Sequence, residues 1–336
     1  MNQDFSPQLL PDPDQGWWPL AFSRQLGRRP LDVVFAGQPL VLFRPGPGQL
    51  AVLPDICPHR HAPLSQGRVT SAGLECPYHG WCFNARGQCT RIPGSQACSK
   101  GSLLQPWLCQ EREGVIWVSR LGGMAIPGLE CEIGDSFWIG ARARTDLLNG
   151  AENFLEAYHT HFVHVGWIRR DARRQKVEAS LKRLEDGLEV EYRGESGQDG
   201  WISRLLEPKR SRSFGRFLWP NLAQIEYRDS RDRLSFLASA WLTPVTESEM
   251  QVFIRITTRR GWTPAWLKQR LLRCLFHPIL QQDLRILAQV SHNRSRFHPP
   301  PPPLDVDHDL MGPALRQLLE TRQLSNIQEK HRTLWV

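Results

Sequence analysis

The sequence predicts an α+β chain in two parts. An all-β domain over residues 1–120, N-terminal extension included, precedes a larger domain over residues 121–336 built on a curved antiparallel sheet. Three observations predict it. Short β-prone runs, LDVVFAG, PLVLFRP, QLAVLPD and GVIWVSR, are separated by Gly-containing turns and surround two loops that each carry a cysteine and a histidine. From residue 176 to residue 260, β-prone runs alternate with turns, as in GLEVEYRG, LAQIEYRD, LSFLASAWLTP and MQVFIRITT, the pattern of one antiparallel sheet. Residues 266–290 then change period: Leu272, Leu275, Phe276, Ile279, Leu280, Leu284 and Leu287 recur on one face of a long helix that can cover the sheet.

The totals agree with a soluble globular chain. It has 336 residues, 40% apolar and 23% charged, with a mean hydropathy of −0.41. No uninterrupted apolar stretch approaches the ~20 residues of a membrane span. The opening segment MNQDFSPQLLPDPDQ has neither a basic flank nor an apolar run, so no secretory signal is expected and the cytoplasm is the expected compartment. The formal charge of +8 is spread over small clusters at residues 28–29, 169–174 and 209–212, with no recognition motif beside them. A solvated basic surface is the plain reading and an acidic redox partner or anionic substrate the alternative; nucleic acid is not expected. Eight cysteines, at 57, 76, 82, 89, 98, 109, 131 and 274, read as thiols or metal ligands rather than a disulfide framework.

Two of those cysteines define the first candidate site. Cys57-Pro58-His59 is followed after sixteen residues by Cys76-Pro77-Tyr78-His79 and then Gly80-Trp81. Each loop offers one thiolate and one imidazole, and the span between them holds a turn and paired strands. Two Cys and two His also satisfy tetrahedral zinc, but zinc ligands commonly come as a cysteine pair and a histidine pair. The mixed loops resemble the Rieske [2Fe–2S] cluster, in which two cysteines hold one iron and two histidines the other. The resemblance covers roughly residues 17–120 and implies Cys57, His59, Cys76 and His79 as the cluster ligands. Pro58 and Pro77 stiffen the loops, Gly80 lets backbone approach the cluster sulfides closely and Trp81 walls one side. Trp17, Trp18 and Trp107 are assigned to core packing. Respiratory-chain Rieske proteins carry an additional, disulfide-forming cysteine in each loop. Ala62 and Tyr78 stand in the corresponding places here, which resembles the cluster of an oxygenase or of a Rieske ferredoxin.

The chain continues for more than 200 residues beyond that domain, through Glu152-Asn153-Phe154-Leu155-Glu156-Ala157-Tyr158-His159-Thr160-His161-Phe162-Val163-His164. Two histidines and one carboxylate on one face of an iron leave the remaining positions open for chemistry. His159 and His164 are five apart, about 140° around an ideal helix, so a distorted helix end is expected to bring them together. The stretch resembles the Asn…Asp-x-x-His-x₄-His signature of Rieske non-haem iron oxygenases. That resemblance implies His159 and His164 as iron ligands, with Asn153 matching the signature asparagine one residue closer to the carboxylate. Glu156 takes the place of the usual aspartate, which bridges a ligand histidine to a cluster histidine of the neighbouring subunit. It implies Asp283, in the QQDLRIL run of the long helix, as the third ligand, the plain alternative being a capping or surface carboxylate. His161 is the rival ligand and otherwise a packing histidine. Asp229 and Asp232, in YRDSRDR, read as a hairpin turn.

The resemblance further implies a helix-grip second domain and a homotrimer of the monooxygenase and demethylase branch. It implies a mononuclear Fe(II), O₂ as co-substrate, and electrons from an NAD(P)H-dependent reductase, directly or through a ferredoxin. No G-x-G-x-x-G is present, so nicotinamide chemistry falls to a partner. The expected reaction is hydroxylation or O- or N-demethylation of a small aromatic or alicyclic substrate. A Rieske-type electron carrier and a zinc-stabilised interaction module are the alternatives. Trp167, Phe214, Phe217, Trp219 and Trp241 read as pocket wall or core. Arg169 and Arg170 read as surface residues, with neutralisation of a substrate carboxylate as the alternative. Residues 299–303 read as an extended connector, and LMGPALRQLLETRQL as an amphipathic segment that docks on its own domain or on a neighbour.

Overall fold

The computed structural model describes residues 12, 14–95, 98, 101–123, 125–129, 134–169, 174–194, 210–261 and 264–336. The N-terminal peptide to residue 11, Cys131, Arg170 and Lys209, all read above, lie outside the described residues. The chain divides into two compact units.

One unit takes in Asp12–Ile126 with Thr243–Thr246. Its strands are β1 (Trp18–Phe22), β2 (Leu31–Phe35), β3 (Gln38–Phe43), β4 (Ala51–Pro54), β5 (Arg68–Thr70), β6 (Gly73–Glu75), β7 (Cys82–Phe83), β8 (Cys89–Arg91), β9 (Leu108–Arg112) and β10 (Val115–Ser119). They form three small sheets, β1–β10–β9, β2–β3–β4 and β5–β6–β7–β8. The four β-prone runs become β2, β3, β4 and β10, and the span between the two loops folds into the β5–β6 hairpin. Strand β3 is buried on both faces, so its alternate residues feed two cores. Leu40 and Leu42 join Trp18, Phe35, Trp107, Ile116 and Val118, while Val41 and Phe43 join Leu53, Leu64, Leu74, Phe83, Cys57 and Cys76. Trp18 and Trp107 are core residues, as expected; Trp17 is only half-buried.

The other unit holds Pro127–Leu242 and Glu247–Val336. In chain order it contains β11 (Asp135–Ala143), α1 (Leu147–Leu155), β12 (Lys176–Arg183), β13 (Gly187–Arg193), β14 (Arg210–Leu218), β15 (Leu222–Asp229), β16 (Leu234–Thr246), β17 (Glu249–Thr258), α2 (Ala265–Arg294), α3 (Met311–Thr321) and β18 (Lys330–Trp335). One sheet runs β11–β17–β16–β15–β14–β13–β12–β18, so strands β12 to β17 neighbour one another in sequence order and the first and last strands close the two edges. Asp229 and Asp232 lie at the β15–β16 turn, where the Asp229 carboxylate accepts the amides of Arg231 and Arg233 at 2.9 and 3.0 Å. Helix α2 turns its apolar stripe onto the sheet: Leu272, Ile279 and Leu287 are buried, and Leu275, Phe276, Leu280 and Leu284 pack half-buried against the same core. Helix α3 docks on this same unit through Met311, Ala314, Leu315, Leu318 and Leu319. Residues 300–305 have no regular structure and are largely exposed. Among the described residues no helix is long and apolar enough to cross a membrane.

Candidate metal centres

The two Cys-Pro loops have one backbone design. Cys57 N–H donates to Ala62 O at 2.8 Å and His61 N–H returns to Cys57 O at 2.8 Å; Cys76 N–H donates to Trp81 O at 2.8 Å and Gly80 N–H returns to Cys76 O at 3.1 Å. The residue four places after each cysteine closes the turn in the left-handed region, His61 at φ 59° and Gly80 at φ 69°. Gly80 is therefore suited to its place by handedness. A Cβ there would also meet Pro93 Cγ at 3.1 Å, tighter than an ordinary van der Waals contact.

These turns bring four donors together. Cys57 and Cys76 are buried at 1% and 3% exposure. The rings of His59 and His79 lie edge to face with centroids 4.7 Å apart, and Trp81 stacks on His59 at 4.9 Å. Burial, then the neighbouring His79, holds the His59 imidazole below its usual range, which favours the neutral form that a metal ligand needs. His59 Nδ1 is buried with no hydrogen-bond partner among the described residues. Burial and the Cys76 thiol push the Cys57 thiol up, so it stays protonated until a metal displaces the proton. The donor set and the orphaned nitrogen fit a [2Fe–2S] cluster with mixed Cys and His ligands.

The second centre starts where α1 ends. Glu156 is the C-cap of that helix, and its carboxylate caps the next turn by accepting the amides of Tyr158 and His159. His159 opens a 3-10 turn over His159–His161, and His164 follows after Val163 N–H closes on His159 O at 2.7 Å. The histidines are thus brought together by a separate turn beyond the helix, not by a distorted end of α1. The expectation missed the break because Glu156 also suits a helix interior.

His159, His164 and Asp283 place one donor atom each within 4.8 Å of one another. Asp283 Oδ1 lies 3.0 Å from His164 Nε2 and 3.5 Å from His159 Nε2. The far nitrogens are occupied: His159 Nδ1 pairs with Glu156 Oε1, and His164 Nδ1 pairs with Gln282 Oε1 at 2.8 Å. With the protons on Nδ1, both Nε2 lone pairs face a carboxylate oxygen, an arrangement that repels unless a cation lies between. The three donors fit a 2-His-1-carboxylate iron site. Burial pulls the His164 imidazole down, but the hydrogen bond and charge of Asp283 outweigh it, so in the metal-free protein a proton is favoured there. His161 is buried and stands outside this cluster. Sequence reasoning passed over Gln282 as mere context for Asp283; only the fold shows that it reaches His164.

A cavity of about 190 Å³ opens beside the donors between α1, α2 and the sheet, with Glu156, His159, His164 and Asp283 in its wall. Ile139, Ile225, Tyr227, Phe236, Ile254, Phe276 and Leu280 make most of it apolar, and Asn153 joins it from α1. Arg169 is not at the surface: it is 5% exposed, lines the cavity and donates to Ala157 O at 3.1 Å. Of the five aromatic candidates, only Phe214 borders the cavity, and its ring lies on the other face of the sheet, opposite Glu191 and Glu226 in the register and covered by Arg212 and Arg216 at 5.0 and 4.8 Å. Phe217 and Trp241 are core, Trp219 packs against the core, and Trp167 lies outside the wall.

Comparison with known proteins bears on both centres. Residues 16–106 match the Rieske [2Fe–2S] domain, and residues 143–323 match the vanillate O-demethylase oxygenase C-terminal domain. The chain is 32% identical over 167 residues to the oxygenase component of dicamba O-demethylase from Stenotrophomonas maltophilia, covering 46% of this chain and 49% of that one. It is 28% identical over 269 residues to the oxygenase subunit of 3-chlorobenzoate-3,4-dioxygenase from Comamonas testosteroni, covering 72% and 58%. The chain spans about half the length of the curated relatives it matches. Its fold is similar to the crystal structure of dicamba monooxygenase bound to dicamba, with a TM-score of 0.79 at 20% identity over 93% of this chain and 98% of that one.

Proposed function

Because the chain belongs to the Rieske oxygenases with a vanillate O-demethylase-type C-terminal domain, we propose that it is the terminal oxygenase of a multicomponent system. One observation carries the reading: two imidazole Nε2 atoms and the Asp283 carboxylate converge in the wall of an apolar cavity. An electron carrier needs neither. In this reading Cys57, His59, Cys76 and His79 hold the [2Fe–2S] cluster, and His159, His164 and Asp283 hold the mononuclear Fe(II). The cluster supplies single electrons, and the iron supplies the place where O₂ is activated.

The remaining work falls to the chain's own residues. Glu156 and Gln282 keep the Nδ1 protons of the two histidines and so aim both Nε2 atoms at one point. Glu156 keeps a quarter-exposed side chain while paired with His159, which supports its role as a bridge to a cluster histidine of a neighbouring copy in a homotrimer. The apolar wall excludes water and suits a small ring compound, to be hydroxylated or O- or N-demethylated. Asn153 orients the substrate from α1. Arg169, a buried guanidinium in that wall, suits an anionic substituent, as borne by the compound for which the 3-chlorobenzoate relative is named. Electrons come from an NAD(P)H-dependent reductase, directly or through a ferredoxin. The cysteines among the described residues are all free thiols, which supports a reducing compartment, the cytoplasm.

The test is iron and acid-labile sulfide per chain, with EPR of the dithionite-reduced protein and product analysis after O₂ and a panel of ring substrates are added. About three irons, two sulfides, a Rieske signal and an oxidised product are expected. Full metal loading with no product from any substrate would reduce the protein to an electron carrier.

A further inference from the structure

The register of the β5–β6–β7–β8 sheet sets Arg68, Glu75, Cys82 and Arg91 side by side in one row across four strands. Directly opposed residues point to one face of a sheet, so two guanidinium groups flank a single carboxylate. Glu75 is 2.7 Å from Arg68 and 3.4 Å from Arg91. Exposure decides what solvent meets: the Glu75 side chain is 13% exposed, against 76% for Arg68 and 54% for Arg91. The carboxylate is covered and the row presents a positive edge. Between residues 57 and 95 the chain carries Arg60, Arg68, Arg86 and Arg91 against Glu75 alone.

Position gives this edge its meaning. Glu75 directly precedes Cys76, and a groove beside the row is lined by Gln66, Gly67, Arg68, Glu75, Cys76 and Gly80 along with Pro77. Arg60, exposed in the other loop, directly follows His59. We propose that the Arg68–Arg91 edge, with Arg60, is the docking surface for an acidic electron-donor protein, one that carries carboxylates around its own iron–sulfur cluster. The proposal rests on the reading that these loops hold a redox cluster. Electrons must then enter from another protein, because the chain has no nucleotide-binding glycine motif. A positive rim steers a negative partner to the shortest path and raises its encounter rate; a diffuse basic surface steers to no particular place.

The experiment follows cluster bleaching by stopped flow when the full-length protein is mixed with a reduced, acidic plant-type [2Fe–2S] ferredoxin over a range of salt. For the wild type the bimolecular rate constant should fall steeply as salt rises. The Arg68→Glu/Arg91→Glu double variant should be slower by about tenfold or more at low salt and nearly insensitive to salt. Arg68→Gln/Arg91→Gln, which adds no charge beside Glu75, should fall between. Complete bleaching by dithionite and an unchanged EPR signal establish that each variant keeps its cluster. Equal ferredoxin rates across the three proteins, or a wild type that this ferredoxin fails to reduce, overturns the docking surface. Failure of dithionite to bleach the wild type overturns the cluster reading instead, and the docking surface with it.

Discussion

His164 Nδ1 donates to Oε1 of Gln282 across 2.8 Å, although 118 residues separate the two in the chain. The next residue of the same helix, Asp283, faces the other nitrogen of that ring at 3.0 Å. One turn of α2 therefore supplies both a donor and the group that orients a second donor. Removing such an orienting partner typically costs 10–100-fold in metal affinity. Gln282→Leu should weaken Fe(II) binding by about that factor while the visible spectrum of the cluster stays unchanged. Titration of the metal-free site with Fe(II) measures it, and unaltered affinity would show that the hydrogen bond does not matter.

Asp283→Ala removes the only carboxylate of the three-donor cluster. Iron should drop from about three to about two per chain, with sulfide and the Rieske EPR signal retained. Cys57→Ser should do the converse and abolish the signal. Loss of both centres in either single variant would mean that the two donor sets are not independent.

Glu156 carries three hydrogen bonds in this unit, to the Tyr158 and His159 amides and to His159 Nδ1. Glu156→Gln keeps the size and an acceptor oxygen but removes the charge. With both centres loaded, oxidation of the reduced cluster in a single turnover should slow by roughly tenfold or more. An unchanged rate would leave Glu156 as a cap of the His159 turn alone.

The parts of the molecule legible beforehand are those where local chemistry and final contact coincide. The two Cys-Pro loops each close on themselves through five or six residues, so the candidate donors stand together in short runs of sequence, and the resemblance to the Rieske signature implies a cluster there. The stripe of α2 was read because Leu272, Ile279 and Leu287 repeat at helical period and bury together. Strand β1 went unread because both its faces are buried and it shows no alternation. Gln282 and Arg169 were undervalued for a related reason. Their significance lies in what they meet, a ring over a hundred residues away and a cavity wall, and neither leaves a period or a spacing in the chain.

Glu191 gives a pH signature on the opposite face of the sheet. Its side chain is 2% exposed and lies 2.8 Å from Arg193 and 2.5 Å from Arg212. Burial raises its carboxyl, but the two guanidinium groups outweigh that and hold it below the usual carboxylate range. A depressed folded-state value means the stabilisation is present above the unfolded value, about 4.3, and is lost as pH falls through the folded one. Glu191→Gln should therefore cost about 1–3 kcal/mol near neutrality, and its gap to the wild type should narrow as pH drops below about 4. Urea midpoints at several pH values measure this; a constant gap would mean that the loss is one of packing.

Arg169 tests the substrate class. It lines the cavity at 5% exposure and donates a hydrogen bond to Ala157 O. A guanidinium at that depth attracts an anion far more strongly than in water, and losing one member of a buried, hydrogen-bonded charge pair costs about 2–5 kcal/mol. Arg169→Met should accordingly raise KM at least about tenfold for a ring carboxylate such as 3-chlorobenzoate, provided that compound is turned over. KM for the corresponding neutral amide should stay near the wild-type value. The Ala157 carbonyl supplies the competing explanation, because it lies two residues before His159 and in the same variant loses the Arg169 donor, keeping only the Thr160 hydroxyl at 2.6 Å. That loss would disturb His159 whichever substrate is present. An equal fall in kcat for acid and amide, with KM unmoved, would therefore make Arg169 a positioning residue for the His159 turn and remove the case for an anionic substrate.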